Sequence, residues 1–123
     1  MNNAQALNPS ILREYDIRGV VGETLTARNV GGIGKAFGTL LIEKLGPSPS
    51  VVVGYDGRLS SPDLSDALCQ GLASTGVNVI NIGVGPTPML YFATYHLETA
   101  AGLMITGSHN PPEFNGIKMM LQG

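Results

Sequence analysis

The sequence predicts an α/β domain: a mixed, largely parallel sheet flanked by helices. Short β-branched runs alternate with stretches of helical periodicity along the middle of the chain. Glycine- and proline-bearing breaks separate them. The composition, 43% hydrophobic and 13% charged over 123 residues, gives one domain ample apolar material to bury.

From Thr26 to Leu45 the apolar positions Val30, Ile33, Phe37, Leu40, Leu41 and Leu45 recur at steps of three and four, and Gly46-Pro47 stops the run. That spacing predicts a helix. Ser50-Val51-Val52-Val53-Gly54 is too short for a buried helix and is rich in β-branched residues, so it reads as a central strand ending at the Asp56-Gly57 turn. Ser60-Ser61-Pro62 then offers a cap residue and an early proline. Leu64, Ala67, Leu68 and Leu72 supply the apolar stripe of a second helix reaching about Thr75. Gly76 ends it. Val77 to Ile82 reads as a strand, Pro86 to His96 as a third helix, Ala100 to Thr106 as a buried strand and Gly116 to Leu121 as one more. Gly107 to Asn115 is left as a polar connecting loop. The chain stops soon after an apolar run, where a further helix is expected, so a continuation is anticipated.

Several function classes are disfavoured. A net charge of −2 without a basic run does not suit a nucleic-acid surface. Met1 to Ser10 lacks the basic and apolar regions of a secretory signal, and no segment has the apolar length of a membrane span, so the cytoplasm is the default expectation. Cys69 is the only cysteine and excludes an internal disulfide; between Leu68 and Leu72 it reads as a core thiol. Gly31-Gly32-Ile33-Gly34-Lys35-Ala36-Phe37-Gly38 misplaces the third glycine of a dinucleotide fingerprint. It also lacks the hydroxyl residue and first glycine of a P-loop. Its glycines read as sites of close helix packing.

The loop Thr106-Gly107-Ser108-His109-Asn110-Pro111-Pro112 concentrates a hydroxyl, an imidazole, an amide and two rigid prolines. It lacks the Gly-x-Ser-x-Gly elbow, and no local acid stands ready to orient His109, which disfavours a serine hydrolase. A turn and a phosphate-handling loop both remain open. Lys118 is either an exposed strand position or a charge aimed at that loop. Arg18, in Arg13-Glu14-Tyr15-Asp16-Ile17-Arg18-Gly19-Val20, is either an anion clamp or part of a surface ion pair.

Taken together, Glu14-Tyr15-Asp16-Ile17-Arg18-Gly19, Asp56-Gly57-Arg58-Leu59-Ser60 and Thr106-Gly107-Ser108-His109-Asn110-Pro111-Pro112 resemble the α-D-phosphohexomutase family, in order and at suitable separations. The resemblance implies that residues 1–10 are an N-terminal tail and residues 11–123 the first of four domains, with the other three absent. It implies that Ser108 carries a phosphoryl group. That group passes to a hexose monophosphate, and another is recovered from a hexose 1,6-bisphosphate intermediate, moving phosphate between C1 and C6. Lys118 and Arg18 match residues beside the transferring phosphate. Tyr15 and Asn110 match residues lining the cleft, and His109 a residue supporting the loop. Magnesium is implied in the whole enzyme, bound by the Ser108 phosphate and by carboxylates of the missing second domain. Asp56 and Arg58 fit a structural loop; Tyr55 stands where many members carry arginine, so that segment is given no direct catalytic role. Glycine rather than alanine before Ser108, with Asn115-Gly116-Ile117-Lys118 following, leans towards phosphomannomutases and dual phosphomannomutase/phosphoglucomutases. The alternative is a stand-alone phosphate- or nucleotide-binding module without catalysis.

Overall fold

The computed structural model describes residues 13–23, 25–85, 99–107 and 113–121. They contain β1 (Arg13–Val20), α1 (Ala27–Leu45), β2 (Ser50–Tyr55), α2 (Ser61–Ala73), β3 (Asn78–Val84), β4 (Ala101–Ile105) and β5 (Phe114–Leu121). The strands form one sheet in the order β1-β5-β4-β2-β3. β2 pairs in parallel with β3 and β4, whereas β5 runs antiparallel to β4 and to β1. β1 therefore points the same way as β4, β2 and β3, and β5 alone opposes them. This is the mixed, largely parallel sheet the sequence predicts. Residues 106–113 are too few for the crossover of a dozen or more residues that parallel neighbours need, so β5 folds back on β4.

Local signals explain most of the elements. Thr26 caps α1: its backbone is extended, and its side chain accepts from the Asn29 amide at 3.1 Å. At the other end Gly46 takes φ +88 and donates to Ile42 O at 2.9 Å. Thr26→Ala is expected to cost about 1 kcal/mol, read as a lower midpoint in chemical denaturation. The cap expected for α2 is not made. Ser60 is already in the right-handed helical region, with no side-chain cap bond, and its hydroxyl accepts instead from Asn115 Nδ2 at 2.9 Å. Pro62 does sit in the first turn, where a missing N–H costs nothing.

Helices α1 and α2 pack on each other through their glycines. A Cβ on Gly34 would lie 2.7 Å from Leu68 O, and one on Gly71 would lie 2.2 Å from Gly31 O. The glycine-rich stretch is thus a helix-packing surface, as its failed nucleotide motifs imply. On the sheet side, Val30, Leu41, Leu64, Leu68 and Leu72 of the helices meet Val51, Val53, Ala101, Leu103, Ile105 and Ile117 in one buried cluster. Alternation along the strands sends Val52, Met104 and Met120 to the opposite face, where they form a second cluster with Ile82. Each fully buried Leu or Ile contributes about 1.5–3 kcal/mol, which makes the first cluster the main source of stability.

Cys69 is half-buried and packs against the core; burial pushes its thiol up, so it is a poor nucleophile. The helix expected over Pro86–His96 lies outside the described residues. Among those described, no helix is long and apolar enough to cross a membrane.

Candidate functional site

Parallel neighbours present their carboxyl ends side by side, and ligands of open α/β sheets bind beyond those ends. Here the neighbours are β2 and β4, in register through Tyr55 and Ile105. The chain leaves β2 into Asp56-Gly57-Arg58-Leu59-Ser60 and leaves β4 into Thr106-Gly107. The Asp56 amide extends the pairing by donating to Ile105 O at 2.9 Å. Two segments far apart in sequence are thereby brought together.

The Asp56 carboxylate joins them. Its Oδ2 accepts from the Gly107 amide at 3.0 Å, and its Oδ1 accepts from the Arg58 amide at 3.2 Å and from Ser61 Oγ. Arg58 Nε lies 3.5 Å from Asp56 Oδ2, and Arg58 Nη1 donates to Phe114 O at 3.2 Å. The guanidinium fills the space a side chain at position 107 would need: a Cβ there would come within 2.1 Å of Arg58 Cζ. Asn115 is buried and donates to Ser60 Oγ at 2.9 Å and Ser61 Oγ at 3.0 Å, while its own Oδ1 accepts from the Gly116 amide at 2.9 Å. Val21 donates to Glu113 O and Thr106 to Gly116 O, both at 2.9 Å. A buried amide and hydroxyl so fully engaged are costly to disturb.

Burial is the largest single influence on Asp56 and raises its carboxyl. Hydrogen bonds from Ser61, the Gly107 and Arg58 amides and the Thr106 side chain together outweigh burial and hold it below the ordinary aspartate value. A depressed carboxyl contributes stability above its unfolded-state pKa and loses it as pH falls through the folded-state value. The melting-temperature gap between wild type and Asp56→Asn is therefore expected to be constant near neutrality and to narrow below about pH 4. Thermal unfolding across pH 7 to 3 measures it.

The sequence-predicted residues fall in two groups. Ser108, His109 and Asn110 lie outside the described residues, but Gly107, immediately before Ser108, is at the carboxyl end of β4 and held by Asp56. Tyr15, Arg18 and Lys118 lie on the paired strands β1 and β5: Tyr15 is opposite Met119, Arg18 opposite Gly116, and Lys118 opposite both Asp16 and Met104. Arg18 and Lys118 are thus two register positions apart. Lys118 is half-buried and shares the sheet face of Met104 and Met120. The sequence did not reveal the roles of Ser61, Thr106 and Asn115. Their signal is polarity at buried positions, which only the fold exposes. Among the described residues no group of three or more His, Cys, Asp or Glu could hold a metal ion.

The sheet and its two linked loops define an α/β domain in which the segments leaving the carboxyl ends of two neighbouring parallel strands are joined by one carboxylate. Residues 9–123 match the model of the phosphoglucomutase/phosphomannomutase alpha/beta/alpha domain I, and the chain belongs to that family. It is 50% identical over 120 residues to a phosphomannomutase/phosphoglucomutase of Pseudomonas aeruginosa, covering 98% of this chain and 26% of that protein. A phosphoglucomutase of Neisseria meningitidis serogroup B is 49% identical over 113 residues, 92% of this chain and 24% of its own length. Among solved structures, a phosphoglucomutase/phosphomannomutase family protein from Burkholderia thailandensis superposes with a TM-score of 0.79 at 43% identity, over 94% of this chain and 27% of that one. The chain thus spans about a quarter of the length of the relatives it matches.

Proposed function

We propose that this chain is the serine-bearing first domain, residues 11–123, of a phosphomannomutase/phosphoglucomutase that interconverts hexose 6-phosphates and hexose 1-phosphates. The observation that carries the proposal is the fixed Gly107 peptide at the carboxyl end of β4, in a chain of this family, directly before Ser108.

In this reading Ser108 carries the phosphoryl group. The free 6-hydroxyl of a hexose 1-phosphate attacks the phosphorus, the P–Oγ bond breaks, and the serine oxygen leaves with a proton. The product is the 1,6-bisphosphate. After the sugar turns over, Ser108 Oγ gives up its proton and attacks the phosphorus at C1. The bond between that phosphorus and the C1 oxygen breaks, the C1 oxygen leaves with a proton, and the hexose 6-phosphate departs. Phosphoryl transfer of this kind needs positioning and charge neutralisation above all. Lys118 and Arg18 neutralise the phosphoryl oxygens, Tyr15 and Asn110 line the cleft, and His109 supports the loop. Magnesium, when bound, supplies further neutralisation. By the family resemblance, its carboxylate ligands would come from a second domain, with the Ser108 phosphate as the contribution of this one.

The test is turnover of the full-length polypeptide with mannose, glucose and glucosamine 1-phosphates. Mannose and glucose 1-phosphates are expected to be turned over well and glucosamine 1-phosphate poorly, with no turnover by the 123-residue chain alone. A full-length protein inert towards all three sugars would sink the proposal. Substantial turnover by the short chain would show that the site is complete within it.

A further inference from the structure

We infer that Asp56 and Arg58 form a clamp across the base of the loop that carries Ser108, and that they are positioning residues for phosphoryl transfer; this rests on the function proposed above. The clamp has two arms. Asp56 Oδ2 accepts the Gly107 amide at 3.0 Å, on the entry side of residues 108–112, and Arg58 Nη1 donates to Phe114 O at 3.2 Å, on the exit side. The arms are tied together by Arg58 Nε, 3.5 Å from Asp56 Oδ2, and by the Arg58 amide on Asp56 Oδ1. Ser61 Oγ bonds the same Oδ1 and also accepts from Asn115, the residue after Phe114, which closes the ring.

One side-chain pair on the loop after β2 thereby sets both feet of a loop that begins about fifty positions later in the chain. In this scheme the pair acts as a positioning device. Its effect reaches Ser108 through the Gly107 peptide, and a displacement of about 1 Å at a reacting atom costs on the order of 100-fold in rate. Arg58 suits the task because a planar fork serves two acceptors at once, which a lysine point charge does not.

The test uses the full-length protein with Asp56→Asn, Arg58→Lys and the double variant. Measurements are kcat and KM for glucose 1-phosphate, melting temperature, and amide hydrogen exchange of the peptide spanning residues 104–115. Each single variant is expected to lower kcat about 100-fold with KM within about threefold, and the double variant to be no worse than the weaker single, because both break one device. Exchange should quicken in residues 104–115 and not in α1. Lowered melting temperature with kcat per folded molecule within about twofold of wild type would overturn the inference and leave a merely structural pair. Independent effects that multiply in the double variant would overturn it too. If wild type shows no mutase turnover, the proposed function fails instead. The exchange measurement then still decides the clamp: unchanged exchange in all variants removes it.

Discussion

Gly71→Ala is expected to destabilise the domain by at least about 3 kcal/mol, lowering its melting temperature by roughly 10 °C. Alanine in mid-helix normally gains about 1 kcal/mol over glycine, so the steric cost must exceed that gain. The new Cβ would lie 2.2 Å from Gly31 O and 3.1 Å from the Lys35 amide nitrogen. Both are backbone atoms of α1, which cannot swing aside as a side chain can. The helices must separate, and Leu68 and Leu72 then lose their fit against the sheet. Gly32→Ala supplies the opposite sign on the facing helix, α1. Its Cβ meets nothing within 4 Å, so only the propensity term remains and the chain should gain up to about 1 kcal/mol. Thermal unfolding of the two variants beside wild type checks both. A neutral Gly71→Ala would mean that the helices do not touch through these glycines.

Ser108→Ala in the full-length polypeptide is expected to remove mutase turnover, by on the order of 10⁴-fold or more, as loss of a covalent carrier does in other group transfers. The reasoning is chemical. Without Oγ there is no donor for the first transfer and no acceptor for the second, so the bisphosphate is neither made nor consumed. KM has little meaning for such a variant. The informative comparison is Lys118→Ala, which keeps the carrier and removes a charge. It should slow the transfer while leaving Ser108 able to be phosphorylated. Steady-state rates with glucose 1-phosphate, with circular dichroism to verify the fold, measure the contrast.

Much of the frame was legible because its signals are local. The three-and-four periodicity from Val30 to Leu45, the valine run at β2 and the break at Gly46 each depend on neighbouring residues, and each element formed where its signal lay. β1 was missed. In Arg13–Val20 charged and apolar residues mix, and the strand exists by pairing with β5, some hundred residues away, at the edge of the sheet. The start of β5 was placed two residues late because Asn115 reads as a loop residue. Its buried amide is in fact occupied by Ser60 and Ser61. Ser60 misled as a cap for the same reason, since its hydroxyl serves a partner that no local pattern shows.

The candidate site divides along the same line. The loop around Ser108, with Lys118 and Arg18, was singled out by residue type and by resemblance. Asp56 read as a turn residue before glycine and, by resemblance, as part of a structural loop with no direct catalytic role. Its reach to Gly107 is a product of topology: β2 and β4 are adjacent although α2 and β3 lie between them in sequence. Buried polar residues whose partners lie across the sheet are the part of a site that a single sequence hides best.

The most direct measurement is the chemical state of Ser108 itself. Full-length protein is incubated with glucose 1,6-bisphosphate, digested, and its phosphopeptides are sequenced by mass spectrometry. One phosphoryl group is predicted, on Ser108; when it comes from labelled bisphosphate, the label passes to glucose 6-phosphate on addition of excess unlabelled glucose 1-phosphate, while Ser108 is rephosphorylated from C1 in each cycle. A catalytically active protein with Ser108 unmodified throughout, or with its phosphate on another residue, would contradict the account.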